Sequence, residues 1–259
     1  MQLSLTDNVL WGVTALLELL VCAYALRRRL YRRLPLFTSY TILLFVREIS
    51  LWLTYRYAGY TSQVAFYYYW GTQGMLVAAR GLVIVELSWR VLREYRGIWA
   101  LSWRLLLSIF TLLLLIAAWD AYGNTYWIAP FILTAERGLE LAGLLILLTL
   151  LLLGTYYGVR LESVERMIIG GLTFYSAVLV VNNTVHRAWH TEHFALWNGI
   201  RMVSFHVAMI FWWLALRKPL PAAAPTPALL PRHVYDEISP RVNARLRALN
   251  QRLLEMLKP

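Results

Sequence analysis

"VLWGVTALLELLVCAYALRRRLYRR", residues 9–33, decides the fold class. Residues 9–26 form an apolar run whose only charge is Glu18, and Arg27, Arg28, Arg29, Arg32 and Arg33 follow it. At about 1.5 Å per helical residue such a run crosses a hydrocarbon core of roughly 30 Å. A cleaved signal peptide has its basic residues before the apolar stretch, whereas "MQLSLTDNVL" contains none. The order predicts a first spanning helix with its N-terminus outside.

The same grammar repeats along the chain. Apolar runs at about 8–26, 36–57, 65–89, 98–119, 127–156, 167–186 and 195–216 predict seven transmembrane helices. Helices are required because an open strand in lipid leaves backbone groups without partners. The run at 127–156 is long enough that it must tilt or project. Composition agrees: 59% of the 259 residues are hydrophobic, the mean hydropathy is +0.53, and a soluble domain holds roughly 45–50% apolar residues. The fold class expected is all-α, a polytopic membrane protein.

A net charge of +11 raises the question of nucleic acid, and its placement answers it. The arginines between runs one and two are joined by Arg90, Arg93 and Arg96 between three and four, and by Arg160 and Arg166 between five and six. Arg217 and Lys218 follow run seven, while the intervening loops carry little more than Arg56 and Arg187. Basic residues on alternate loops orient a membrane protein. They predict an outer N-terminus, a cytoplasmic C-terminus and a multi-pass protein of the bacterial plasma (inner) membrane. The lipid bilayer is the expected partner, nucleic acid is not, and anionic inner-leaflet lipid is a secondary attraction. Cys22 is the single cysteine, so no disulfide forms within the chain.

Three regions follow: a transmembrane domain at 1–217, a Pro/Ala-rich linker at 218–231, and a basic amphipathic cytoplasmic helix at 232–259. Ser239 and Pro240 read as N-cap and first helical residue of that last helix. Val242, Leu246, Leu249, Leu253 and Met256 make one apolar stripe opposite Arg241, Arg245, Arg247 and Arg252. A helix of this kind lies on a membrane surface, or docks on a membrane or cytoplasmic protein partner.

Charges inside the spans carry the functional signal, because each costs several kcal/mol unless paired or wet. Glu18, Arg47, Glu48, Arg80, Glu136, Arg137, Glu140 and Arg201 fall near mid-bilayer, with Glu86 and Arg104 nearer the cytoplasmic face and His206 deep in run seven. Glu136 and Glu140 share a helix face, and Arg137 is also in reach of Glu140. One reading is a structural network that fixes helix rotation. The others are a polar chamber for an anionic ligand and a proton pathway.

Aromatic residues crowd the outer end: Tyr55, Tyr57, Tyr60, "FYYYW" (66–70), Tyr122, Tyr126, Trp127, Trp189 and Trp197. Most suit an interfacial belt, and some an outward-facing pocket. "HRAWHTEH" (186–193) places His186, His190 and His193 where an extended helix would gather them for a divalent metal. A solvated outer loop is the preferred reading, and a haem between two histidines is disfavoured because His206 and His186 differ in depth. No cofactor is expected. No lysine lies in any span, which excludes a retinal Schiff base, and no zincin, P-loop or GxSxG motif is present. An enzyme is therefore the least favoured class.

"RRRLYRRLPLF" (27–37) and "ERGLELAGLL" (136–145), with charged span centres, resemble a diffuse group of uncharacterised bacterial seven-helix integral membrane proteins. The resemblance covers residues 1–217 and implies the helix number but no activity. The expected function is a sensor-like or ligand-binding membrane module acting through a partner protein. The alternatives are an accessory subunit of a larger redox or photosynthetic membrane complex, and a small-solute transporter.

Overall fold

The computed structural model describes residues 5–92, 96–156, 161–188, 194–217 and 232–256. Each apolar run becomes a helix: α1 (Leu5–Arg27), α2 (Pro35–Ala58), α3 (Gln63–Leu92), α4 (Arg96–Ala121), α5 (Ile128–Tyr156), α6 (Ser163–Ala188) and α7 (Phe194–Arg217). The basic tail forms α8 (Arg232–Met256), and no strand occurs among the described residues. Five helices are long and apolar enough to cross a membrane, over Val9–Arg27, Pro35–Ala58, Gly97–Ala121, Ser163–Asn182 and Gly199–Arg217. With 30 and 29 residues, α3 and α5 have the length, but they carry Arg80, Glu86, Glu136, Arg137 and Glu140 in their interiors. The architecture is that of a multi-pass helical membrane protein.

Helices α1, α2, α3, α5, α6 and α7 follow one another around a ring, which closes where α7 packs on α1. α4 stands outside this ring, against α5, and α8 packs on α4. Only 6% of the most apolar stretch of α4 is buried, against 56% of that of α6. An apolar surface of this extent suits lipid.

Two close approaches set the packing. A Cβ on Gly171 would come within 2.6 Å of Trp212 Nε1, so glycine lets α6 and α7 close around an indole. Trp212 is fully buried, donates through Nε1 to the Ile168 carbonyl (3.2 Å) and meets Phe37 edge-on at 5.3 Å. On the far side of the ring, Gly138 of α5 makes room for the tip of Leu113 on α4.

The basic end is tied by side chains from neighbouring helices. The α1–α2 turn passes through Arg29 in the left-handed region (φ 53), a conformation costing a non-glycine residue about 1–2 kcal/mol. No side chain of its own caps α2. Glu86 of α3 does so instead, accepting from the Leu36 and Phe37 amides at 3.0 and 2.9 Å. A carboxylate there satisfies donors left open by the first turn and complements the helix dipole. Arg90 bonds Glu165 at 2.6 Å and the Arg33 carbonyl at 2.5 Å, and Arg33 pairs with Glu162 at 3.0 Å.

α8 corrects one expectation. It begins at Arg232 and runs through Pro240, so Ser239–Pro240 is not its start. Proline lacks an N–H, so the helix forgoes one backbone hydrogen bond there without ending, and Pro240 itself is exposed. Of the expected stripe, Val242, Leu246 and Leu253 are partly covered, while Leu249 and Met256 are exposed. Asn250 anchors the contact, its Oδ1 accepting from the Gly97 amide at the start of α4.

Candidate functional site

The ring encloses a cavity of about 700 Å³, within the range of small-molecule sites. It opens at the end where α1, α3, α5 and α7 begin and α2 finishes. Successive turns of each helix feed it: Trp11, Thr14 and Glu18 from α1; Tyr55, Leu51, Glu48, Arg47 and Leu44 from α2; Tyr69, Gln73, Leu76 and Arg80 from α3. α5 contributes Glu136, α6 Tyr175, and α7 Arg201, Met202 and Phe205. The register explains the depth order, since residues three or four apart on one helix stack along one face.

The floor is a dry ion pair. Arg80 pairs with Glu140, both almost fully buried, one turn deeper on α5 than Glu136. Arg80 Nε also donates to Tyr40 Oη at 3.3 Å, and its guanidinium lies 5.2 Å from the Tyr175 ring centroid. An arginine with a carboxylate, a phenol and an aromatic face is answered on most sides. Below it lie Trp212, Phe37, Leu87 and Ile168, all fully buried. The cavity ends there.

The wall above is arranged differently. Arg47 donates to Thr72 Oγ1 (3.3 Å) and to Gln73 Oε1 (3.0 Å), and lies 5.3 Å from the Tyr69 ring centroid. Gln73 in turn donates to Glu136 Oε1 at 2.9 Å. The amide thus accepts from a cation and donates to an anion, joining α2, α3 and α5 with opposite charges at its two ends. Among the described residues no ion pair within salt-bridge distance involves Glu18, Glu48, Glu136, Arg47 or Arg201. Glu18 is only 3% exposed, and its Oε2 has no hydrogen-bond partner. Trp11 stands edge-on to Tyr55 at 5.8 Å, and Tyr55 lies 4.9 Å from Tyr60.

The candidates named from sequence therefore divide. Glu18, Arg47, Glu48, Glu136 and Arg201 share the cavity wall, and Arg80 with Glu140 closes its floor. Arg137 is exposed, and the partner found for Glu140 is Arg80 of α3. Arg104 is likewise exposed on α4. His206 is engaged one helix away, its Nε2 lying 2.8 Å from Thr14 Oγ1. Among the described residues no group of three or more His, Cys, Asp or Glu side chains is gathered to hold a metal ion. His186 lies on α6, while His190 and His193, and with them the triad, fall outside the described residues.

Trp11, Tyr40, Gln73, Tyr175 and the capping role of Glu86 escaped the sequence reading. Gln73 had a signal: it is an amide-bearing residue in the interior of α3, within "GTQG". The outer aromatics divide too. Tyr55, Tyr60 and Tyr69 line the cavity, whereas Tyr57 and Tyr122 are more than four-fifths exposed.

No family model matches the chain, and neither a curated protein nor a solved structure matches it.

Proposed function

We propose that this protein is a ligand-binding, sensor-like membrane module whose chamber receives a small polar molecule and whose α4–α8 side meets a protein partner. The observation carrying this reading is the contrast inside one ring of helices. In the floor Arg80 and Glu140 form an ion pair, while Glu18, Glu48 and Arg201 line an open space without an ion pair at salt-bridge distance among the described residues. A network built only to fix register would be expected to pair its charges with one another.

In the proposed orientation α1 to α7 all span the bacterial inner membrane. The arginine-rich end is cytoplasmic and the chamber faces out. Cysteine labelling with an impermeant maleimide in intact cells, in a Cys22→Ser background, tests this. Asn124→Cys at the chamber end is expected to react, and Glu162→Cys is not; the reverse pattern would invert the proposal.

Ligand binding is tested by native mass spectrometry of gently purified protein. The expected result is a small adduct on the wild type that is lost in the Glu48→Gln/Arg201→Gln double variant. A bare mass in both, with wall variants as unstable as floor variants, would assign the charges to a structural network.

A transporter would use the same chamber, but substrate would have to pass the Arg80–Glu140 layer and the packed Trp212 beneath it. The accessory-subunit reading is favoured by one observation, the nearly uncovered α4 span outside the ring. Both rivals keep the fold and move the function.

A further inference from the structure

The polar groups of the chamber are unequally satisfied, and the inequality has a sign. Arg47 spends two of its donors on Thr72 and Gln73 and rests near the Tyr69 ring. Glu136 has one oxygen engaged by Gln73. Arg80 is matched by Glu140 below. Two buried atoms on the wall remain without a hydrogen-bond partner, the uncharged donor Trp11 Nε1 and Glu18 Oε2, and of these only the carboxyl oxygen belongs to an ionisable group. Glu48 lines the same wall from α2, and the two carboxylates interact electrostatically across the α1–α2 boundary. With Arg80 already paired with Glu140 from beneath, the carboxyl groups of Glu18, Glu48 and Glu136 share the wall with two further arginines, Arg47 and Arg201. The wall is short of positive charge.

Two carboxyl groups held in a low-dielectric bundle cannot both ionise without repelling each other, and a cation placed between them offsets that cost. The rings on the outer side of Glu18 favour the same sign. Trp11 and Tyr55 meet edge-on, Tyr60 extends the cluster, and aromatic faces attract organic cations. The rest of the lining supplies apolar surface from Leu51, Met202 and Phe205.

We propose that the chamber takes a small organic cation, a protonated amine with an apolar body, whose ammonium group sits between Glu18 and Glu48 beside the Trp11–Tyr55 pair. The inference rests on the ligand-binding reading above and gives that ligand a charge. It departs from the anionic ligand that the intramembrane arginines suggest when counted without their partners.

Three probes of one shape and different charge test it: phenethylamine, phenylalanine and 3-phenylpropionate, by equilibrium dialysis against the full chain in detergent near neutral pH. The amine is expected to bind at least about tenfold more tightly than the propionate. Glu18→Gln and Glu48→Gln should each weaken amine binding by about tenfold or more, the scale of a lost charge-assisted hydrogen bond. Glu162→Gln, at the opposite end, should leave it unchanged. Each variant is matched to wild type in elution and melting before comparison, and Glu48→Gln serves if Glu18→Gln folds poorly.

Tighter binding of the propionate, lost in Arg201→Gln, would overturn the charge assignment while leaving a ligand-binding chamber. Amine binding indifferent to both glutamates would overturn the site. No saturable binding of any of the three at millimolar concentration would overturn this proposal and the ligand-binding reading together.

Discussion

Glu18 and Arg80 are each 3% exposed, ionisable and set in the same ring of helices, yet only one of them has an ion partner. Arg80 has Glu140, the Tyr40 hydroxyl and the face of Tyr175. Glu18 has an oxygen with no partner and a cavity in front of it. Burial alone therefore does not separate a structural charge from a binding one. The difference lies in whether the protein itself supplies the counter-group. Where it does, the charge ties helices together; where it does not, the buried group borders an open cavity.

The largest expected effect comes from breaking the floor. Arg80→Gln or Glu140→Gln leaves an uncompensated charge in a dry layer, which typically costs about 3–5 kcal/mol. Each single variant should melt well below wild type in detergent, and the double should recover part of the loss. Full additivity of the two singles would show that the residues are not partners.

The packing beneath the floor should respond next. Gly171→Ala drives a methyl into Trp212, and overpacking of this kind costs about 1–3 kcal/mol. A methyl on its neighbour Gly170 would meet nothing within 4 Å, so Gly170→Ala should be neutral or stabilise α6 by up to about 1 kcal/mol. Equal losses in the two alanine variants would mean that α6 and α7 do not close on the indole.

Smaller still is the bridge across the wall. Gln73→Leu removes the amide between Arg47 and Glu136, but both charges border an open cavity where water can replace it. A loss of about 1 kcal/mol is expected in thermal melts. A loss as large as that of Arg80→Gln would place Gln73 in the structural layer. Smallest is Arg201→Gln in ligand-free protein, expected within about 0.5 kcal/mol of wild type. A floor-sized loss there would place Arg201 in the structural layer with Arg80 and Glu140.

Legibility followed the same divide. The helices and their alternation of basic loops could be read because apolar length and arginine placement are local properties of the chain. So could the membership of Glu18, Arg47, Glu48, Arg80, Glu140 and Arg201 in a charged layer, since depth follows from position along a helix. Which charge meets which depends on the rotation of each helix about its own axis. Periodicity leaves that open when the surrounding lipid is as apolar as the core. Arg137 shows the consequence: its spacing allowed a contact with Glu140, but helix rotation leaves it exposed and turns Glu140 toward α3. Glu86 illustrates a second limit, because a cap supplied to α2 from α3 has no signature in either helix alone. At Pro240 the local rule pointed to a helix start, yet an exposed proline interrupts only one hydrogen bond and α8 continues through it.

A chamber that is open from one end must stop at the Arg80–Glu140 layer. Cysteine accessibility in a Cys22→Ser background tests it most directly, using a charged thiosulfonate added from the chamber side of protein in sealed vesicles. Glu48→Cys, Gln73→Cys and Met202→Cys line the cavity and are predicted to react. Ser88→Cys, two turns beyond Arg80 on α3 and 1% exposed, is predicted not to. Rapid modification at Ser88→Cys would reveal a water path through the floor and contradict the account in favour of a transport pathway.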